Sequence, residues 1–182
     1  NFFGSSAGYG ATGANYSNFL GYNAGNGATS ARHSNFFGNY AGNNATNAIK
    51  SNFFGYYAGA GGNYLGGGGG ANYYATDAFN SNFFGNYAGN SATYANNSIF
   101  IGTNAGNSAI NANNSIFIGT YAGGTVAYNY SFGAWNANNS IFIGYRAGYE
   151  DTVNNSGVAP KSSILIGDYT STGGNKIGRA HV

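Results

Sequence analysis

Two adjacent apolar residues followed by a glycine recur along the whole chain. Most of these glycines lie 17 residues apart, and three gaps are longer, at 30, 25 and 23 residues. The glycines are Gly4, Gly21, Gly38, Gly55, Gly85, Gly102, Gly119, Gly144 and Gly167. We number each unit from the serine at position 1. Asn or Ile then occupies position 2, and the apolar pair occupies positions 3 and 4. A fixed short period predicts a solenoid in which each unit forms one coil.

The composition of the unit favours β-structure. A helix–turn–helix repeat needs about twice this length. The unit is also poor in helix formers and rich in Gly, Asn, Phe, Tyr, Ile and Thr, which fit short strands broken at turns. We therefore predict an all-β fold, a β-solenoid or β-roll with a 17-residue coil and nine to ten coils. Neighbouring coils of such a fold stack about 4.8 Å apart.

The chain reads as a single repeat domain over residues 1–182 with two kinds of coil. Residues 1–95 carry coils of the N-F-F-G type, with a Gly-rich insertion at about 60–72. Residues 96–182 carry coils of the S-I-F-I-G type, with insertions at about 124–131 and 150–156. The first two insertions fall at the same place, between an A-G pair and an A-T-x-A element. That place is expected to be a surface loop on a regular scaffold.

Positions 3 and 4 are both apolar in every coil, although neighbouring side chains of a strand point to opposite faces. One face can be the interior of the coil, and the other needs a second cover, most simply an identical chain. We therefore predict a homotrimeric rod; a wide single-chain solenoid with two internal layers is the alternative. The pattern leaves open which member of the pair points inward. The candidate core and assembly residues are Phe36, Phe37, Phe53, Phe54, Phe83, Phe84, Phe100, Ile101, Phe117, Ile118, Phe142 and Ile143.

The later coils resemble a known class of repeats. N-N-S-I-F-I-G-T-N-A-G-N-S-A at 96–109 and N-N-S-I-F-I-G-T-Y-A-G-G at 113–124 are similar to the N-T-F-I-G-Y-Q-A-G repeats of bacteriophage tail fibres and large bacterial surface proteins. They resemble more loosely the head repeats of trimeric autotransporter adhesins, which are left-handed parallel β-rolls. S-S-I-L-I-G-D-Y-T at 162–170 looks like the element that closes such arrays. The resemblance implies a trimeric fibre at a cell surface or on a virion, and the early coils depart from it with Asn-Phe-Phe.

Charge and candidate chemistry exclude several classes of function. The chain has 6 Lys+Arg and 4 Asp+Glu, so the basic face of a nucleic-acid binder is missing. No apolar run reaches the roughly 18 residues of a membrane span. Cys is absent, and the acids and histidines form no catalytic or metal-binding motif. We expect no enzymatic activity, no cofactor and no metal. We expect Asp77 to be a solvated variant and Glu150-Asp151 to lie in a wet loop.

Aromatic residues in and beside the insertions are the candidates for ligand binding. Aromatic rings beside Asn amides suit a cell-surface glycan. The alternative is that these rings pack back onto the rod. The candidates are Tyr64, Tyr73, Tyr74, Tyr128, Tyr130 and Trp135.

Three functions follow from this sequence. The first is a structural fibre segment of a phage tail fibre or a surface adhesin, a rigid rod that presents loops or a distal receptor-binding part. The second is a self-assembling extracellular filament with chains stacked end to end, because the first coil carries no capping element. The third is an ice-binding solenoid, since Thr recurs at position 13 in five coils, at Thr12, Thr29, Thr46, Thr76 and Thr93.

Overall fold

The computed structural model of the chain describes residues 1–61, 77–124, 134, 137–149 and 164–168. All strands in this part of the chain belong to one sheet of nine strands, and no helix occurs there. The strands are β1 (Phe2–Phe3), β2 (Asn18–Leu20), β3 (Asn35–Phe37), β4 (Asn52–Phe54), β5 (Asn82–Phe84), β6 (Ile99–Ile101), β7 (Ile116–Ile118), β8 (Ile141–Ile143) and β9 (Ile164–Ile166).

Each strand pairs in parallel with the next strand along the chain, in the order β1 to β9. Equivalent positions always face each other. Phe36 pairs with Phe53, and Phe53 pairs with Phe83 although 30 residues separate them. We number each coil by its strand. The prediction of a tandem-repeat β-solenoid is therefore confirmed for the described coils, and the longer gaps leave the register unchanged.

The interior of the solenoid holds one aromatic ring in each coil from 2 to 8, and Leu165 occupies the same position in coil 9. The position 3 rings from Phe19 to Phe142 are at most 1% exposed. Consecutive rings stack nearly parallel, with centroids 4.7–4.8 Å apart. Three columns of buried alanines, at positions 8, 12 and 15, complete this core. The ring spacing equals the strand spacing of a sheet, so the column and the backbone ladder share one period.

A glycine makes room for each ring. Gly42, at position 9 of coil 3, has a φ of +63°, and a Cβ there would overlap the ring of Phe36. The same relation recurs between Gly25 and Phe19. The A-G pair of the repeat therefore has a packing function, because the ring at position 3 lies against the bare Cα at position 9.

Buried serines at position 1 bond successive coils together. The Oγ of Ser34 donates a hydrogen bond to the carbonyl of Ala48 and accepts one from the backbone N–H of Ser51, at 3.0 Å. A buried hydroxyl needs such partners. Corners at position 17 use left-handed backbone, as at Asn80 and Asn97, with φ of 53° and 55°. Asn tolerates this conformation better than most residues.

Most of the three expected insertions lie outside the described residues, in 62–76, 125–133 and 150–163.

Replacing Gly25 by Ala tests the packing of ring on glycine. Gly10→Ala is the matched control, because Gly10 has a similar φ, +67° against +63°, and open space around its Cα. Left-handed backbone costs either alanine about 1–2 kcal/mol. Gly25→Ala should lose about 1–3 kcal/mol more, because its methyl group overpacks the Phe19 ring. Denaturant unfolding measures the difference, and equal losses in the two variants would contradict this packing.

Candidate functional site

The outer sheet face is formed by the side chains at positions 2 and 4 of the strands. Position 4 is apolar in all nine coils, and it points away from the core. Phe3 is 68% exposed and Ile166 is 52% exposed, whereas every position 3 ring from Phe19 to Phe142 is buried. The structure thus places Phe36, Phe53, Phe83, Phe100, Phe117 and Phe142 inside the coil. It places Phe37, Phe54, Phe84, Ile101, Ile118 and Ile143 on the outer sheet face.

A ladder of asparagine amides runs along position 2 in the first five coils. Each Nδ2 donates to the Oδ1 of the next Asn at 2.8 Å, through Asn1, Asn18, Asn35, Asn52 and Asn82. An amide nitrogen carries two N–H donors, and the ladder uses one of them. This half of the outer sheet face is therefore mixed, with polar amides beside Phe and Leu.

From β6 onward the outer sheet face becomes wholly aliphatic. Position 2 changes to Ile99, Ile116, Ile141 and Ile164, beside the isoleucines of position 4. The inner ring column continues unbroken across this change, since Phe83 and Phe100 stack at 4.7 Å. The switch from Asn to Ile is therefore a change of the outer surface alone.

A cluster of tyrosines lies at the corner just after the strand. We define the tyrosine corner as Tyr22, Tyr40, Tyr56, Tyr57 and Tyr87, at positions 6 and 7 of coils 2 to 5. Tyr57 stacks on Tyr40 at 4.5 Å and on Tyr87 at 5.3 Å, with the ring planes within 7° of parallel. Tyr56 lies nearly perpendicular to all three stacked rings, and Tyr22 nearly perpendicular to Tyr40.

Burial is the main cause that raises the pKa of Tyr57 to about 12, and the neighbouring hydroxyls of Tyr56, Tyr40 and Tyr87 add to it. The backbone at this position is left-handed, with φ of 59°, 54° and 56° at Tyr40, Tyr57 and Tyr87. Such a conformation is unfavourable for a bulky residue. The aromatic stack is thus built at an unfavourable backbone position.

The charged residues that the structure describes make small, separate contacts. The Oδ1 of Asp77 accepts a hydrogen bond from Asn47 at 2.6 Å, and His33 stacks on Tyr16 at 5.0 Å. Arg146 lies 4.8 Å from the ring of Tyr149. Among the described residues no group of three or more His, Cys, Asp or Glu is placed to hold a metal. No helix there is long and apolar enough to cross a membrane.

The threonine row at position 13 is regular only in part. Thr12, Thr29 and Thr46 form consecutive parallel bridges, and Thr93 bridges to Ile110 instead of a further Thr. Thr76 lies outside the described residues. In the described coils the row thus offers one hydroxyl per coil before it reaches Ile110.

The glycan candidates Tyr64, Tyr73, Tyr74, Tyr128, Tyr130 and Trp135 lie outside the described residues. The tyrosine corner was not singled out by the sequence. The available signal was the recurrence of Tyr just before the A-G pair, as at Tyr56 and Tyr57. Periodicity alone does not show that tyrosines of successive coils share one corner and stack.

Comparison with protein families, with curated proteins and with solved structures finds no match to this chain.

Tyr57 should ionise later than an ordinary tyrosine. Its folded pKa of about 12 lies above the usual value of 10. The stabilisation linked to this shift is therefore present below about pH 10 and is lost as the pH rises toward 12. Ultraviolet titration of phenolate absorbance, with Tyr57→Phe as the difference reference, measures the shift. A Tyr57 signal centred near pH 10 would contradict it, as would an equal loss of stability in both proteins above that pH.

Proposed function

We propose that this chain is a rod segment of a non-enzymatic structural fibre, of the kind found in phage tail fibres and bacterial surface adhesins, assembled as a homotrimer. The observation that carries the proposal is the continuous apolar row at position 4, which runs along one side of all nine coils. The resemblance of the later coils to fibre repeats supports an extracellular, cell-surface or virion location. The rod would hold a receptor-binding part at a distance or present its loops.

The physical basis is the cost of leaving such a row in water. Soluble monomers rarely expose large contiguous apolar patches. Nine coils extend the row over about 40 Å. A rod with one apolar side can bury it by closing around a symmetry axis with identical rods. The sparse charges of the chain, 6 basic and 4 acidic, offer little repulsion against this packing.

The switch from amides to isoleucines gives the assembly a direction. Antiparallel packing would lay the aliphatic half of one chain over the amide ladder of another. The second N–H of each Asn would then lose water without a partner, at about 1–3 kcal/mol each. Parallel, in-register packing brings amides to amides and isoleucines to isoleucines, as a buried Asn does in coiled coils. We therefore propose parallel chains in register.

A lysine on the outer sheet face should dissociate the assembly. Light scattering on the wild-type chain should give the mass of a trimer, and Ile118→Lys should give a monomer, because its charge would be buried between chains. Thr120→Lys, an exposed position of the same coil, is the control and should remain a trimer. Negative-stain microscopy separates discrete rods from the end-to-end filaments of the alternative function. A monomeric wild-type chain would refute the trimer.

Single-cysteine variants test the direction, and the chain has no cysteine of its own. Ile143, in coil 8, and Leu20, in coil 2, are equally far from the central coil. Parallel packing predicts that Ile143→Cys alone forms disulfide-linked dimers under mild oxidation. Antiparallel packing predicts that these form only when Ile143→Cys and Leu20→Cys chains are assembled together. Thr29→Cys, outside the strands, is the control and should remain unlinked.

A further inference from the structure

Position 6 carries an alternating row along the tyrosine corner. Coils 2 to 5 present Tyr22, Asn39, Tyr56 and Asn86 in turn. The next tyrosine at this position is Tyr145, in coil 8, so every tyrosine of the row falls on an even-numbered coil. We propose that this row binds an extended, uncharged polysaccharide with β-1,4 linkages, through ring stacking on Tyr22 and Tyr56 and hydrogen bonds to Asn39 and Asn86.

The two position 6 rings of the tyrosine corner stand nearly perpendicular to their position 7 neighbours and are partly exposed. Tyr56 is 80–87° from the planes of Tyr40, Tyr57 and Tyr87, with centroids 4.6–6.3 Å away. Tyr56 is 43% exposed, so part of its ring surface is open to solvent beside the stack. The ring plane of Tyr22 makes an angle of 77° with that of Tyr40, and Tyr22 is 48% exposed.

The spacing of these faces suits a regular polymer. Tyr22 and Tyr56 are two coils apart, about 10 Å along the rod. In an extended β-1,4-linked chain, each sugar is rotated by about half a turn relative to its neighbour. The same ring face therefore recurs at every second sugar, and this repeat is about as long as the spacing of Tyr22 and Tyr56 along the rod. Aromatic faces stack well on the C–H face of a sugar ring, because the ring surface is apolar and carries a negative quadrupole.

The residues between the tyrosines offer hydrogen bonds and no charge. The Oδ1 of Asn39 accepts the backbone N–H of Tyr22 at 3.2 Å, which positions the amide and leaves its N–H₂ group at the exposed surface. An amide N–H₂ group can donate a hydrogen bond to the hydroxyl oxygen of a sugar. Positions 6 and 7 carry no charged residue in coils 1 to 7, so the row favours a neutral sugar over an acidic one.

The backbone beneath the row is a regular feature of the fold. Position 7 is left-handed in every described coil from 1 to 8, and Asn23 and Asn104 occupy it with φ of 53° and 56°. Asn suits this conformation, whereas Tyr is strained there. Tyrosines nevertheless fill it in coils 3, 4, 5 and 7, and those of coils 3, 4 and 5 pack against the ring of Tyr56.

Isothermal titration calorimetry of the full chain with a cello-oligosaccharide tests the proposal, with a malto-oligosaccharide of equal length as the comparison ligand. We expect binding of the first and none of the second, whose α-linked chain coils. Tyr56→Ala should weaken binding about tenfold, as the loss of one stacking contact. Tyr56→Phe should retain it, because the ring face remains.

Tyr94→Ala is the matched control, because Tyr94 is 50% exposed but lies at position 14. It should bind like wild type. Tyr22→Ala is the second variant, since Tyr22 lies against Tyr40 at the end of the stack and its removal leaves the stack in place. No binding of the cello-oligosaccharide, equal binding of both sugars, or equal loss in Tyr22→Ala and Tyr94→Ala would each overturn the proposal. The oligomeric state is read separately, so a failure here leaves the fibre proposal standing.

Discussion

The stacked column of phenylalanine rings is the interaction on which the rest of this structure depends. Each coil from 1 to 8 contributes one ring, and the rings lie 4.7–4.8 Å apart, which is also the spacing of the parallel strands. The ring therefore has to occupy the same position in each of these coils. The remaining core positions are small because one ring already fills the interior of a 17-residue coil. Glycine at position 9 is part of the same constraint, since any side chain there would overlap the ring.

Because the core depends only on positions 1, 3, 8, 9, 12 and 15, the outer surface is free to change. The amide ladder ends at Asn82 and the aliphatic rows begin at Ile99 while the ring column continues. One scaffold thus carries an outer sheet face with a polar-to-aliphatic gradient. A gradient along a rod distinguishes its two ends, which a uniform apolar row does not, and it links the surface pattern to the direction of assembly that we propose.

The tyrosine corner shows a second use of the same stacking geometry. Coils repeat about every 4.8 Å, so side chains at one corner of successive coils meet face to face. Inside the rod this produces the phenylalanine column, and at the corner it produces the stack of Tyr40, Tyr57 and Tyr87. The rings of Tyr56 and Tyr22 stand nearly perpendicular to this stack and are partly exposed. A scaffold with an axial repeat is suited to a ligand that also repeats, which is the reason to consider a polymer.

The amino-acid sequence by itself determined the period and the all-β solenoid class, because the 17-residue spacing and the Gly and Asn breaks leave room for only short strands. It also showed that positions 3 and 4 are both apolar. It did not show which of them points inward, since strand alternation is satisfied equally well by either choice when both residues are apolar. The tertiary structure decided this through the close approach of position 9 to the ring at position 3. It also brought tyrosines 17 and 30 residues apart into one corner, a contact that only the stacking of coils creates.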